Sequence, residues 1–278
     1  AVEMIKLKKN LYKVNSEKRL LSLVAEVKGF NEQNKYENIK LVDEKILAIY
    51  LNSQEVLTAM TICDYPEYLA AGFLHNQNIL KKLDEIESID YDEELSAVVV
   101  RTKEETLFEQ KNIKRIKTSG CALGTIFGDM FNKLTPIPKT NKTQFKLSHI
   151  RHLVKEINMT PSLYLEAGAI HGSVLCSSSK PLVYMEDVGR HNAVDKVSGW
   201  MLIEKIDPED KILYTTGRLT SEMVLKAVSM KIPVLVSRSG FTRLAVDLAK
   251  QFNLTMMGRF KGKRFSCVSR KTRILFDK

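Results

Sequence analysis

No two of the four cysteines (Cys63, Cys121, Cys176 and Cys267) form a C-x-x-C pair, so the chain offers neither a disulfide framework nor a tetrathiolate zinc site. Long apolar runs are missing too. None approaches the roughly 20 residues needed to cross a bilayer, and the stretch Ala1–Lys9 lacks the apolar core of a secretory signal. A cytoplasmic protein without membrane contact is the expectation. Glycine (13) and proline (7) are sparse among 278 residues, which excludes collagen-like repetition and low complexity. What remains, 44% hydrophobic and 27% charged, is the composition of a folded chain long enough for two modest domains.

The net charge of +10 is unevenly placed. Arg259–Lys278 holds eight basic residues against Asp277, and the 25 residues Phe131–Lys155 hold six against no acid, so the rest of the chain is slightly acidic. Clustered basic charge near a cleft attracts polyanions. Phosphate-bearing cofactors, nucleic acid and acidic partners all qualify, as does a merely solvated basic face. No helix-turn-helix, zinc-finger or ribonucleoprotein motif accompanies the basic runs, and few aromatics interleave them, so nucleic acid is not expected.

Along the chain, Lys45–Leu51 and Val56–Ile62 flank a polar Asn52-Ser53-Gln54 and predict a hairpin. Asp64 stands three residues before Glu67, the spacing of a capping box, with Pro66 in the first turn; a helix over Tyr65–Leu80 is expected. Leu95–Arg101 and Ile113–Lys117 look like further strands. Residues 1–133 then make a small α+β domain that ends in the loop around Cys121 and a helix from Ile126, and 134–146, with two prolines, is a linker. Residues 147–278 form the larger domain, beginning with the helical spacing Leu147, Ile150, Val154, Ile157. Strands are expected at Ala169–Ser177 and Leu182–Asp187, followed by a helix through Ala193 and Trp200. The alternation of strands near 212–216, 234–237 and 254–257 with helices over 221–230 and 243–252 then forces parallel neighbours. The fold class is α/β, a three-layer domain with a mixed sheet plus the smaller N-terminal unit.

Ligands of such sheets collect beyond the carboxyl ends of the strands. Three successive strand-to-helix turns there carry arginine: Asp187–Asn192 with Arg190 and His191, Thr216–Ser221 with Gly217 and Arg218, and Ser237–Gly240 with Arg238. Together with helix N-termini they predict an anion site on one rim.

These residues carry a resemblance. Glu186-Asp187-Val188-Gly189-Arg190-His191-Asn192-Ala193-Val194-Asp195-Lys196 is similar to the signature of the FdhD family, the formate dehydrogenase accessory sulfurtransferases. The likeness continues through Gly217–Ala227, Ile232–Val234, Leu244–Ala249 and Gly258–Arg264, and upstream through Tyr68–Leu74. It implies a sulfur carrier that accepts sulfur from a cysteine desulfurase and passes it to the molybdenum or tungsten bis(molybdopterin guanine dinucleotide) cofactor of formate dehydrogenase. It also implies a cytidine-deaminase-like larger domain and a homodimer. By the same resemblance, Cys121 is the sulfur-carrying residue, and Arg190, His191, Gly217, Arg218, Ser237, Arg238, Arg259, Phe260, Lys261, Gly262, Lys263 and Arg264 bind the guanine-bearing cofactor.

The family's mobile loop usually reads Cys-x-x-Cys; here it is Cys121-Ala122-Leu123-Gly124, so a disulfide within the loop is impossible and a single-cysteine persulfide relay is left. Gly120 and Gly124 flank the thiol, and a helix start after it favours the thiolate. Cys63, Cys176 and Cys267 fall in strand-like runs and are expected to pack as small hydrophobes. His191 either binds or deprotonates a sulfur species or makes a structural hydrogen bond. Glu186 and Asp187 either orient the arginines or a guanine edge or cap the next helix. A zinc deaminase is excluded, because His171 is followed by Gly172-Ser173 and not by the x-Glu of that chemistry, and no zinc is expected. The competing function is a guanine-nucleotide or nucleic-acid binding module without sulfur transfer.

Overall fold

A computed structural model describes residues 23–110, 134–139 and 143–277. The expected strand at 113–117, the Cys121 loop and the start of the helix at Ile126 lie outside the described residues.

A first hairpin, β1 (Val24–Phe30) with β2 (Tyr36–Val42), stands beside a four-stranded sheet of order β4-β3-β6-β5. The predicted hairpin is present as β3 (Lys45–Leu51) and β4 (Gln54–Thr61); the strand starts two residues early because Asn52 takes a left-handed φ of 53° and closes the turn with Ser53 alone. β5 (Ile86–Asp92) and β6 (Ala97–Thr102) complete the sheet, and a one-turn helix α2 (Leu107–Gln110) follows. Leu47, Ile49, Leu51, Val98 and Val100 bury one face of it under Leu69, Phe73 and Leu74 of α1 (Pro66–Asn76).

Two expectations for α1 need correction. Its N-cap is Tyr65, with no side-chain cap, because the Asp64 carboxylate lies 2.5 Å from the buried Lys196 ammonium instead. A cap contributes about 1 kcal/mol, whereas a buried ammonium left without a counter-charge costs several, so the distant lysine wins the carboxylate. The helix ends at Asn76 and not at Leu80, since Asn78 turns left-handed (φ 60°) and the Leu74 carbonyl accepts from the Ile79 and Leu80 amides.

The larger sheet has the order β13-β12-β11-β10-β8-β9. β10 (Ile212–Thr215), β11 (Val234–Ser237) and β12 (Thr255–Lys261) are parallel, as the alternation with helices requires. β8 (His171–Cys176), β9 (Pro181–Asp187) and β13 (Arg264–Ser269) are antiparallel to their neighbours, so the sheet is mixed. Side chains of β10 and β11 alternate strictly. Leu213 and Leu235 face α5 (Arg190–Ile203), α6 (Ser221–Ser229) and α7 (Arg243–Gln251), while Ile212, Tyr214, Val234 and Val236 face α3 (Leu147–Met159). Three layers result. Short strands β7 (Phe145–Lys146) and β14 (Ile274–Leu275) pair at the edge of this unit, and Ile137 is buried, its amide bonded to the Phe252 carbonyl. Among the described residues, no helix is long and apolar enough to cross a membrane.

The two sheets meet through α1 and α5. A Cβ on Gly72 would stand 1.7 Å from the Asp195 carbonyl oxygen and one on Gly199 1.9 Å from that of Tyr68, so the two helix backbones touch. Polar groups close the seam on either side of this crossing. Asp187 binds Lys196 at 2.5 Å and accepts from the Thr61 hydroxyl; Asp195 receives Lys226 Nζ at 2.6 and 2.7 Å and Asn76 Nδ2 at 2.7 Å.

Candidate anion site at the carboxyl edge of the larger sheet

Because β9, β10, β11 and β12 run the same way, their carboxyl ends share one rim, and His171 at the start of antiparallel β8 joins them. The turns are laced to one another. Ser237 donates its hydroxyl to the Gly217 carbonyl (2.7 Å), Leu219 bridges to Phe241, and the Arg259 amide donates to the Ser239 carbonyl (2.7 Å). Gly217 is glycine because the Arg190 side chain lies across it: a Cβ there would meet Arg190 Cβ and Cδ at 2.9 Å. Phe241 packs on Gly258 in the same way and carries the Arg259 guanidinium 5.3 Å above its ring.

Two neighbourhoods form on this rim. One is a cavity of about 280 Å³ walled by Asn158, Tyr164, Tyr184, Arg238, Phe260 and Lys261. Arg238 sits 5.3 Å from the centre of the Tyr164 ring. Tyr164 is set there by Glu186, whose buried carboxylate accepts from the Leu163 and Tyr164 amides (3.0 and 3.1 Å) and so caps the short helix α4 (Leu163–Ala167). Tyr184 has room because residue 172 is glycine; a Cβ there would lie 2.8 Å from its hydroxyl. Burial pushes the Tyr184 phenol upward, so it is a neutral hydrogen-bond donor.

The second neighbourhood is a histidine pair. His171 Nδ1 is 3.3 Å from Thr216 Oγ1, and Thr216 also lines the cavity. Burial first, then Arg190 and Arg218, depress the His171 pKa, which keeps the ring neutral. His191 Nε2 lies 2.8 Å from Glu222 Oε2, and this contact holds Glu222 below the usual carboxylate range.

Sequence reasoning and geometry therefore meet in part. Arg238, Phe260, Lys261 and Gly262 line the cavity; Arg190, His191 and Arg218 gather around His171; Gly217 and Ser237 shape the turns. Arg259 turns to Phe241, while Lys263 and Arg264 are exposed on the β12–β13 hairpin, and none of these three lines the cavity. The acidic pair divides: Glu186 caps α4, which precedes it, whereas Asp187 pairs with Lys196 and also accepts from the Gly189 N–H at the start of α5 (3.3 Å) and from Asn192 Nδ2 (3.1 Å). Tyr164, Tyr184 and Glu222 were missed. The period of two along β9 could have found Tyr184, which lies on the same face as Glu186.

Two of the described thiols are poor nucleophiles: Cys176 is fully buried and its pKa is driven up by burial, and Cys267 is raised for the same reason. Cys63 does not pack within a strand as expected; it follows β4 with a left-handed φ of 56°, is half-buried, and its Sγ lies 3.3 Å from the Tyr91 hydroxyl. Cys121 lies outside the described residues.

Comparison with known proteins bears on this rim directly. Residues 42–275 match the model of the FdhD/NarQ family. The chain belongs to the FdhD/NarQ family. Within it, the sulfur carrier protein FdhD of Bacillus subtilis is 31% identical over 238 residues, covering 84% of this chain and 90% of that protein. The sulfur carrier protein FdhD of Wolinella succinogenes is 30% identical over 242 residues, covering 84% and 82%. A crystal structure described as a formate dehydrogenase accessory protein from Desulfotalea psychrophila superposes with a TM-score of 0.74 at 28% identity, over 91% of this chain and 98% of that one. The FdhD/NarQ match thus spans both sheets and the whole rim.

Proposed function

We propose that this protein is a sulfur carrier for formate dehydrogenase. It takes sulfur from a cysteine desulfurase as a persulfide on Cys121 and delivers it to the molybdenum or tungsten bis(molybdopterin guanine dinucleotide) group, which is its acceptor substrate. In loading, the Cys121 thiolate attacks the terminal sulfur of the desulfurase persulfide; one S–S bond forms, one breaks, and the desulfurase thiolate leaves. The larger unit is then a cytidine-deaminase-like domain and the working form a homodimer. Support comes from family membership and from the burial of Cys176, but the observation that carries the reading is the rim cavity. Arg238 and Lys261 supply positive charge for a pyrophosphate, and the Tyr164 and Tyr184 rings supply flat apolar surface for a purine or pterin. His171, neutral beside the arginines, is suited to accept a proton there.

After incubation with a cysteine desulfurase and cysteine, mass spectrometry should show one added sulfur on the wild-type chain and none on Cys121→Ala. The Cys63→Ala, Cys176→Ala and Cys267→Ala proteins should load normally, and equal loading of Cys121→Ala would overturn the assignment. Calorimetry with GDP tests the acceptor site. Loss of one charged contact weakens binding by about tenfold or more. Arg238→Ala, at the cavity wall, should therefore lose more affinity than Arg218→Ala, and undiminished affinity in Arg238→Ala would exclude the cavity.

A further inference from the structure

A second cavity, of about 360 Å³, opens at the far end of α5 and α6, some 14 residues or about 20 Å along α5 from the rim. It lies where α1, α5 and α6 all end. Four lysines border it: Lys81 and Lys82, which follow α1, and Lys205 and Lys231, which follow α5 and α6. Asp84 is the one carboxylate among the residues lining it. No ion pair involves any of the four ammonium groups among the described residues.

The bland explanation is that lysines offset the negative ends of three helix dipoles. Each end amounts to about half a negative charge, so three ends, Asp84 and Glu85, whose Oε1 accepts from the Lys81 and Lys82 amides, offset about three and a half of the four positive charges. No carboxylate pairs directly with any of the four ammonium groups among the described residues. Moreover, Lys205 and Lys231 adopt left-handed backbone (φ 53° and 58°), positions that close a helix most easily as glycine or asparagine. Polar groups share the lining with Leu83, Met201, Leu202, Ile206, Pro208 and Met230. His75 Nδ1 is 3.0 Å from Ser198 Oγ, and the Ser229 hydroxyl lines the wall. A concave space of this size, bordered by lysines from both sides of the seam and by a few polar groups among apolar ones, fits a compact ligand with several negative charges.

We propose that this cleft binds a small polyanion of the pyrophosphate class and, by neutralising lysines from both halves of the chain, braces the α1–α5 seam. The site is separate from the rim and does not depend on sulfur transfer. Pyrophosphate is the test ligand, titrated calorimetrically into the full chain carrying Arg238→Ala and Lys261→Ala, so that the rim does not contribute. One saturable site per chain is expected, with a rise in melting temperature on binding. Adding Lys205→Asn and Lys231→Asn, which keep a residue tolerant of left-handed backbone, should weaken binding at least about tenfold. Titration with ADP separates the sources of the phosphate group: lysine-dependent binding tighter than pyrophosphate assigns the cleft to a nucleotide, and weaker or equal binding to a free polyphosphate. Absence of saturable pyrophosphate binding, or binding indifferent to the two lysine changes, would overturn the proposal.

Discussion

Gly72→Ala should lower the unfolding free energy by about 3 kcal/mol or more, among the largest effects open to a single methyl group. Glycine inside a helix is normally a liability of about 1 kcal/mol against alanine, so a helix that keeps one has a reason. Here the reason is contact of backbone on backbone: the added Cβ would fall 1.7 Å from the Asp195 carbonyl oxygen and 2.5 Å from the Gly199 nitrogen. A flexible side chain could move aside, but a main-chain carbonyl inside α5 cannot without dragging the helix. Separating the helices would also stretch the Asn76–Asp195–Lys226 bonds beside them. Gly199→Ala should behave alike, and the double variant should lose less than the sum, because the first methyl group already parts the helices. Gly240→Ala is the control, as nothing lies within 4 Å of its Cβ position. Urea denaturation of the four proteins decides the matter; a Gly72→Ala midpoint equal to that of Gly240→Ala would refute it.

That crossing also marks where the sequence ceased to be readable. The strands of the larger sheet were legible because apolar runs such as Ile212–Tyr214 and Val234–Val236 alternate with helical spacing, and alternation alone imposes parallel order. The three arginine turns were legible for the same reason, since strand direction puts their turns on one rim. What no local pattern shows is which of several nearby groups a side chain will choose. Asp64 has the spacing of a cap yet serves an ammonium 132 residues away, and Glu186, next to the end of a strand, caps a helix that precedes it. Arg259 and Arg238 look equivalent in sequence, but one is drawn to Phe241 and the other to Tyr164 at the cavity. Phe241 therefore gives Arg259 a resting place away from the cavity.

Lys196→Ala should be as damaging as the glycine changes, at about 3–5 kcal/mol, and for an electrostatic reason. The Lys196 side chain is wholly buried, 2.5 Å from both Asp64 and Asp187, and donates to the Glu186 carbonyl at 2.9 Å. Burial alone would lower its pKa; the two carboxylates, Asp187 before Asp64, outweigh this and raise it above the ordinary lysine value. Removing the ammonium leaves Asp187 fully buried with only the Thr61 hydroxyl, the Asn192 amide and the Gly189 N–H to answer its charge. Lys196→Met with Asp187→Asn should recover part of the loss, since no uncompensated carboxylate then remains at that position. The pH dependence has a definite sign. A folded-state pKa above the unfolded value near 10.4 contributes stability fully present below that value and lost as pH rises through the folded pKa. Wild-type stability should therefore hold from neutrality to about pH 10 and then fall, and the part of that fall due to Lys196 should vanish in the double variant. Equal alkaline slopes for the two proteins in denaturant titrations would show that Lys196 does not carry this charge in the folded state.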